Sequence, residues 1–432
     1  MPGALNIFQR TMLQWNDLHP YNAVHLVRID EALDLKRLGD VLSATLAGKG
    51  LGVFSLDRSN GTYAYHDDTI PPQIRVIAAN TESFPDVAEE IRSELNAPFN
   101  YDQRFSPFRF FVVPELGAFS LGLVYFHPIA DAESVVFLLR DLMRAYLRKP
   151  EPEQAARLDL YPERRGRLLR CPPGVIARRL LALPAQLRTI RQSHRPRFRD
   201  VGDMGNGFGM FTLGPEHLNS LVATGKAWQV TINDLLLALQ MKSVSILAPA
   251  QNRSGRRRKI TAGCIVNLRR ELGIESAQSF GLFLGSFTVS HEVPAEGKTS
   301  DVATDICRQT GAIKRQRLYL GTPMELRVAA LALRFFSPKQ RRKFYQKYYP
   351  LWCGLTNMNL NSLWGPPGEA GPADYLRAVS TGPATPLVFS VTTVRERINI
   401  GLSYRTTVFS PEDIARVKNE FMNQLLQLPK AA

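Results

Sequence analysis

Residues 119–147 run FSLGLVYFHPIADAESVVFLLRDLMRAYL, a strand-like segment, a proline and a helix-like segment in succession. Ser120, Gly122 and Val124 alternate with Leu121, Leu123 and Tyr125, a pattern that suits a largely buried strand. Pro128 ends the ladder, because proline has no N–H and fixes φ. From Glu133 onward Val135, Val136, Leu138, Leu139, Leu142, Met143 and Leu147 recur at helical spacing. Asp131 stands where the N-cap or first-turn acid of that helix belongs. His127 is thereby placed at a strand end, on a short loop, just before a helix. Rigid elements hold such a position on both sides. A histidine there can take a proton from a hydroxyl or amine as it attacks an acyl group. Asp131, four positions on, can fold back to hold the loop or orient the ring. The alternative is an N-cap beside a histidine that only ends a strand.

Outward from this stretch, the strand is one arm of an antiparallel hairpin with Phe108–Val113, turning around 115–117. Upstream, Asn22–Ile29 reads as a strand and Asp34–Leu46 as an amphipathic helix. Asn60-Gly61 marks a hairpin turn, and Val87–Leu95 a second helix. Downstream, Gly207–Leu213 reads as a strand and Thr231 caps an apolar helix over Ile232–Leu247. Strands follow at Ile260–Leu268 and Leu282–Ser290, and a helix at Thr299–Leu318. Further strands are expected near Gly354–Leu360, Tyr375–Ser380, Leu387–Val394 and Arg397–Tyr404, with a last helix over Pro411–Leu426. Hairpins and helices mix without strict βα alternation, so the class is α+β. The chain divides into a first lobe over 1–155, a connector over 156–204 and a second lobe over 205–432.

A chain of 432 residues is long enough for two such cores, and its composition is globular. The connector is rich in arginine, from Arg164 to Arg199, with an apolar face from Val175, Ile176, Leu180, Leu181, Leu183 and Leu187. Residues 160–199 could therefore lie on an anionic membrane. The plainer reading is a connector whose arginines are solvated or paired with the body. The sequence holds 54 Lys and Arg against 39 Asp and Glu, a formal charge of +15. That excess fits anionic partners: cofactor phosphates, an acidic carrier protein, a lipid surface or nucleic acid. Nucleic acid is disfavoured, for want of aromatic–basic interleaving or a helix-turn-helix pattern. Cys171, Cys264, Cys307 and Cys353 are scattered, so no metal site or redox pair is expected. The start lacks a secretory pattern and no run reaches transmembrane length. The expectation is a cytoplasmic protein, associated with a membrane at its inner face if 160–199 docks there.

Strand, HPIADAES, then a long apolar helix resembles the chloramphenicol acetyltransferase-like superfamily, which includes peptide-synthetase condensation domains and the HxxxD acyltransferases. Thr231-Ile-Asn-Asp, Val266-Asn-Leu-Arg269, Phe280-Gly-Leu-Phe-Leu-Gly and Leu355-Thr-Asn357 resemble further segments of that family, in its order. The resemblance implies two lobes with a tunnel between them and transfer of an acyl group from a thioester to a hydroxyl or amine. It makes His127 the general base, Asp131 a structural acid and Arg269 its partner. Asn357, Phe126 and Ala132 become substrate-side residues. No bound cofactor is implied. Acyl-CoA or a phosphopantetheine thioester is the co-substrate, and an acyl carrier protein a candidate partner. Two positions depart from the pattern: Phe126 replaces the first histidine of a doubled motif, and Ala132 replaces glycine. The rival expectation is a non-catalytic relative that keeps the fold as a binding or scaffolding module.

Overall fold

The computed structural model describes residues 2–68, 70–77, 84–147, 157–161, 172–200, 202–248, 257–292, 297–364 and 371–429. The arginines at 164, 165, 167 and 170, and most of the basic loop at 253–259, lie outside these. The strands are β1 (Gly3–Ala4), β2 (Asn22–Ile29), β3 (Val53–Asp57), β4 (Thr62–His66), β5 (Ile74–Val76), β6 (Phe108–Glu115), β7 (Ala118–Phe126), β8 (Asn206–Leu213), β9 (Lys259–Asn267), β10 (Leu284–Glu292), β11 (Cys353–Asn359), β12 (Asp374–Val379), β13 (Leu387–Val394) and β14 (Arg397–Arg405). The helices are α1 (Ile7–Asn16), α2 (Leu35–Gly48), α3 (Phe84–Asn96), α4 (Ala132–Tyr146), α5 (Pro173–Gln192), α6 (Pro215–Trp228), α7 (Ile232–Ser245), α8 (Arg269–Leu272), α9 (Thr299–Arg315), α10 (Thr322–Arg334), α11 (Pro338–Tyr348) and α12 (Pro411–Leu426). The class is α+β. The strands expected over Asn22–Ile29 and Leu387–Val394 have those bounds.

Among the described residues, β1, β4 and β3 form a small three-stranded sheet, and two larger sheets carry the two main cores. The first is five-stranded, in the order β12-β2-β7-β6-β5; the second is six-stranded, in the order β10-β9-β11-β13-β14-β8. Every residue of β7 is buried, so both faces of that strand are covered. In the first core Leu38, Leu42 and Leu46 of α2 and Val135, Leu138, Leu139 and Leu142 of α4 cluster with the strand residues. Burial of that apolar stripe, more than helix propensity, holds α4 in place. In the second core the wholly buried run Leu235–Leu239 of α7 meets Leu387, Phe389 and Val391 of β13. The Thr231 hydroxyl accepts from the Asp234 amide, as an N-cap should.

β12 is the strand that joins the halves. By chain order it falls in 205–432, but its hydrogen bonds run antiparallel to β2 in the first sheet, from Asp374↔Arg28 to Val379↔Ala23. Arg377 then reaches from β12 into the second sheet, donating to Thr392 Oγ1 at 2.8 Å and to the Val391 carbonyl at 2.6 Å. A Cβ on Gly401 of β14 would lie 2.3 Å from the Arg377 carbonyl oxygen, so the bare glycine permits this close approach.

Several boundaries differ from expectation by one to three residues, and two of the differences have a visible cause. β10 starts at Leu284, because residues 278–283 are spent on a strap to the first lobe described below. α9 ends at Arg315, and Arg317 has a φ of 52°, which stops the helix short of Leu318.

Candidate active site

His127 opens a single 3-10 turn, His127–Ile129, between β7 and α4. Its amide donates to the Tyr21 carbonyl at 3.2 Å, so the chain leaves the β2–β7 ladder here. The Ala130 amide closes the turn onto the His127 carbonyl at 3.3 Å. The imidazole is 8% exposed and lies between two tyrosines. Tyr21 stacks on it with ring centroids 5.2 Å apart and planes at 18°; Tyr125 meets it edge-on at 5.6 Å.

The hydrogen bond of Nδ1 decides what this ring can do. Nδ1 lies 3.0 Å from the Ala130 carbonyl oxygen, which only accepts, so Nδ1 carries the proton. The neutral ring then presents the lone pair on Nε2, and no partner of Nε2 is present among the described residues. Burial lowers the imidazole pKa below its usual 6.5, while the Ala130 carbonyl and the Asp131 carboxylate pull it back up. At neutral pH the ring is uncharged and able to accept a proton.

Asp131 makes no hydrogen bond to the imidazole among the described residues. It caps α4, accepting from the Ser134 amide at 3.0 Å. Its two oxygens also take Nη1 and Nη2 of Arg269, at 2.7 and 2.9 Å, and the Phe283 amide at 3.0 Å. Four donors thus satisfy a fully buried carboxylate, as such a charge requires. Arg269 Nη2 donates as well to Ser134 Oγ at 2.7 Å, and the guanidinium lies 4.5 Å above the Phe283 ring. The pair joins α4 of the first lobe to α8 of the second.

Residues 278–283 run beneath it as a strap. The Asp131 amide donates to the Gly281 carbonyl at 3.0 Å, and the Asp159 amide to the Gln278 carbonyl at 2.8 Å. Phe280 is buried in the first core and Phe283 in the second. Leu282 packs between them with Phe8, Met12 and Tyr21. One short segment thus ties both lobes to the turn that holds His127.

Phe126 is 1% exposed, its ring packed against Phe99, Tyr101 and Phe105; the rings beside the imidazole are Tyr21 and Tyr125. Ala132 is the first residue of α4 and half-buried. Asn357 is exposed on β11 and makes no hydrogen bond to His127, Asp131 or Arg269 among the described residues. Sequence reasoning missed the two tyrosines. Tyr125 precedes His127 by two positions, so strand alternation puts both on one face, which was the available signal.

A cavity of about 840 Å3 lies nearby, between α1 and the helices α10 and α11. Leu13, Trp15, Met204, Leu333 and Tyr345 help to line it, and His127 does not. Trp15 donates from Nε1 to the Tyr345 hydroxyl at 3.1 Å, and its ring meets Tyr21 at 5.3 Å. Trp15 and then Tyr21 therefore stand between the cavity and the imidazole.

No family model matches the sequence, and neither does any curated protein. Solved structures do match. The first condensation domain of the calcium-dependent antibiotic synthetase, in complex with a substrate analogue, is 16% identical with a TM-score of 0.69, over 100% of this chain and 98% of that one. The epimerization domain from the third module of tyrocidine synthetase B is 13% identical with a TM-score of 0.66, over 99% and 96%. The X-domain from teicoplanin biosynthesis is 16% identical with a TM-score of 0.59, over 98% and 94%. This chain has the condensation-domain fold along its whole length. Domains of three different names share that fold, so function has to be argued from the site.

Proposed function

We propose that this chain is an acyltransferase that moves an acyl group from a thioester to a hydroxyl or amine, with His127 as general base. The observation that carries the reading is the hydrogen bond from His127 Nδ1 to the Ala130 carbonyl, which leaves Nε2 as the basic atom of a buried, neutral ring. As the acceptor oxygen or nitrogen attacks the thioester carbonyl, its proton passes to Nε2. The tetrahedral intermediate then collapses, the C–S bond breaks, and the imidazolium returns the proton to the leaving thiolate. Burial aids the second half, because an imidazolium that is costly to hold is a better acid. Asp131 and Arg269 act as positioning residues that fix the turn against the strap. The donor is acyl-CoA or an acyl group on carrier-protein phosphopantetheine. The condensation-domain fold and the excess of basic residues support either, through contact with phosphate or with an acidic carrier.

A non-catalytic binding or scaffolding module is the second reading. It is favoured by Ala132, where the related motif has glycine, because a methyl there narrows the approach to the backbone. One experiment separates the two. Free thiol release is followed for a panel of acyl-CoAs of increasing length, then for acylated carrier protein, with wild type and His127→Ala in parallel. Acceptor-dependent release that falls by about 10²–10⁴-fold in the variant supports transfer. Equal release in both proteins, for every donor, sinks it.

A further inference from the structure

Two helices that line the cavity, α10 and α11, and α5, which is paired to α10, carry basic and exposed apolar side chains together. α5 and α10 hold four and two arginines, Lys347 stands near the end of α11, and Glu325 is the one acid in the sequences of α5 and α10. That acid is engaged by Arg179, in the pair that joins α5 to α10. Arg178 adds a hydrogen bond to the Gln316 carbonyl at 3.2 Å. The same helices hold large apolar side chains in water. Leu180, Leu183 and Leu187 are exposed at helical spacing along α5, with Leu181 beside them at 82% exposure. Val328 and Leu331 are exposed along α10, and Phe335, just after it, is 80% exposed. Tyr348 is exposed at the end of α11, with Lys347 Nζ 5.1 Å from its ring centroid.

We infer that α5 and α10, with α11 beside them, dock this protein on an anionic lipid bilayer. Charge complementarity favours this occupant. Leucine, valine and phenylalanine stand in water on α5 and at α10, on the same helices as the arginines. Flanking cations meet anionic headgroups, and an aromatic–lysine edge suits the headgroup level. No described helix is long and apolar enough to cross a membrane, so the contact is peripheral. The inner side of α10 adds a reason for this placement. Ala330 and Leu333 line the cavity, while Val328 and Leu331 of the same helix face outward. The helix is thus a wall between the cavity and the bilayer, and the docking does not depend on the acyl-transfer reading.

The test is sedimentation with vesicles of phosphatidylcholine, with and without about 30% phosphatidylglycerol, at roughly 0.15 M and 0.5 M salt. Wild type is expected to pellet with the anionic vesicles at low salt and to be released by high salt. Leu181→Glu with Phe335→Glu replaces two side chains already in water, and should lower the bound-to-free ratio at least tenfold. His127→Ala should pellet as wild type does, so loss of catalysis and loss of docking are read separately. With a soluble short-chain acyl-CoA and a soluble acceptor, the double variant should keep the wild-type rate. No pelleting of wild type, or equal pelleting of the double variant, overturns the proposal. So does binding of an acidic acyl carrier protein that the double variant loses while vesicles bind neither, an outcome that would assign the surface to the carrier.

Discussion

Asp131 and Arg269 meet as a bidentate ion pair across 138 residues of chain, with neither side chain more than 3% exposed. Such a pair gains little over a well-packed apolar one, but removing one half strands the other charge in the interior. Asp131→Ala is therefore expected to cost about 3–5 kcal/mol, read from urea unfolding. Adding Arg269→Met should recover part of that loss, because the stranded cation goes with it. A single-variant cost near zero would mean that water reaches the guanidinium.

The same carboxylate should mark the pH profile of acyl transfer. The basic form of His127 accumulates as pH rises through a pKa below 6.5. The rate should rise tenfold per pH unit on the acid side and be flat by pH 7. Asp131 holds that pKa up, so Asp131→Asn should move the midpoint to lower pH, as seen in kcat/KM against pH. A rate still climbing above pH 7.5 would count against Nε2 as the base.

Stability should also fall with acid, through His25. This ring is wholly buried in the first sheet, its Nδ1 2.7 Å from the Tyr375 hydroxyl. Burial first, then Arg377 and His127, hold its pKa well below 6.5. Above pH 6.5 the ring is neutral whether the chain is folded or not, and stability does not depend on it. As pH falls through 6.5 the unfolded chain takes up the proton first, and stability declines until the folded pKa is reached. Urea midpoints at pH 7.5 and 5.5 should therefore differ in wild type. They should differ less in His25→Leu, whose own cost at pH 7.5 is about 1–3 kcal/mol from the orphaned tyrosine hydroxyl.

Gly401→Ala tests the junction of the two sheets. Its methyl would meet the Arg377 carbonyl oxygen at 2.3 Å, and backbone cannot swing aside as a side chain can. A loss of about 1–3 kcal/mol or more is expected in thermal or urea unfolding. A neutral result would show that β12 and β14 can slide apart at low cost.

Much of the local structure was legible, and the reason is periodicity. Asn22–Ile29 and Leu387–Val394 declare themselves by alternation, and Thr231 and Asp131 mark helix starts because their side-chain oxygens cap the first turn. Pairing was not legible to the same degree. β12 is a short, mostly buried run, and nothing local says that it crosses to β2 while β11 and β13 stay together. Arg269 is one of 54 basic residues, and only the resemblance singled it out. Tyr21 was hidden because stacking on His127 depends on where α1 delivers the chain, a long-range fact with no spacing of its own.

The crossing of β12 sets an order of events during synthesis. When the ribosome has made the first 204 residues, β2 has its β7 neighbour but its other edge lies bare, waiting for residues 374–379. An unpaired edge on a nascent chain invites wrong partners, above all the same edge on a neighbouring polysome chain. The first lobe therefore cannot be finished and set aside while the second is built. Split at 204/205 into two genes, the halves would each need the other present at birth, and the first half expressed alone should collect in inclusion bodies.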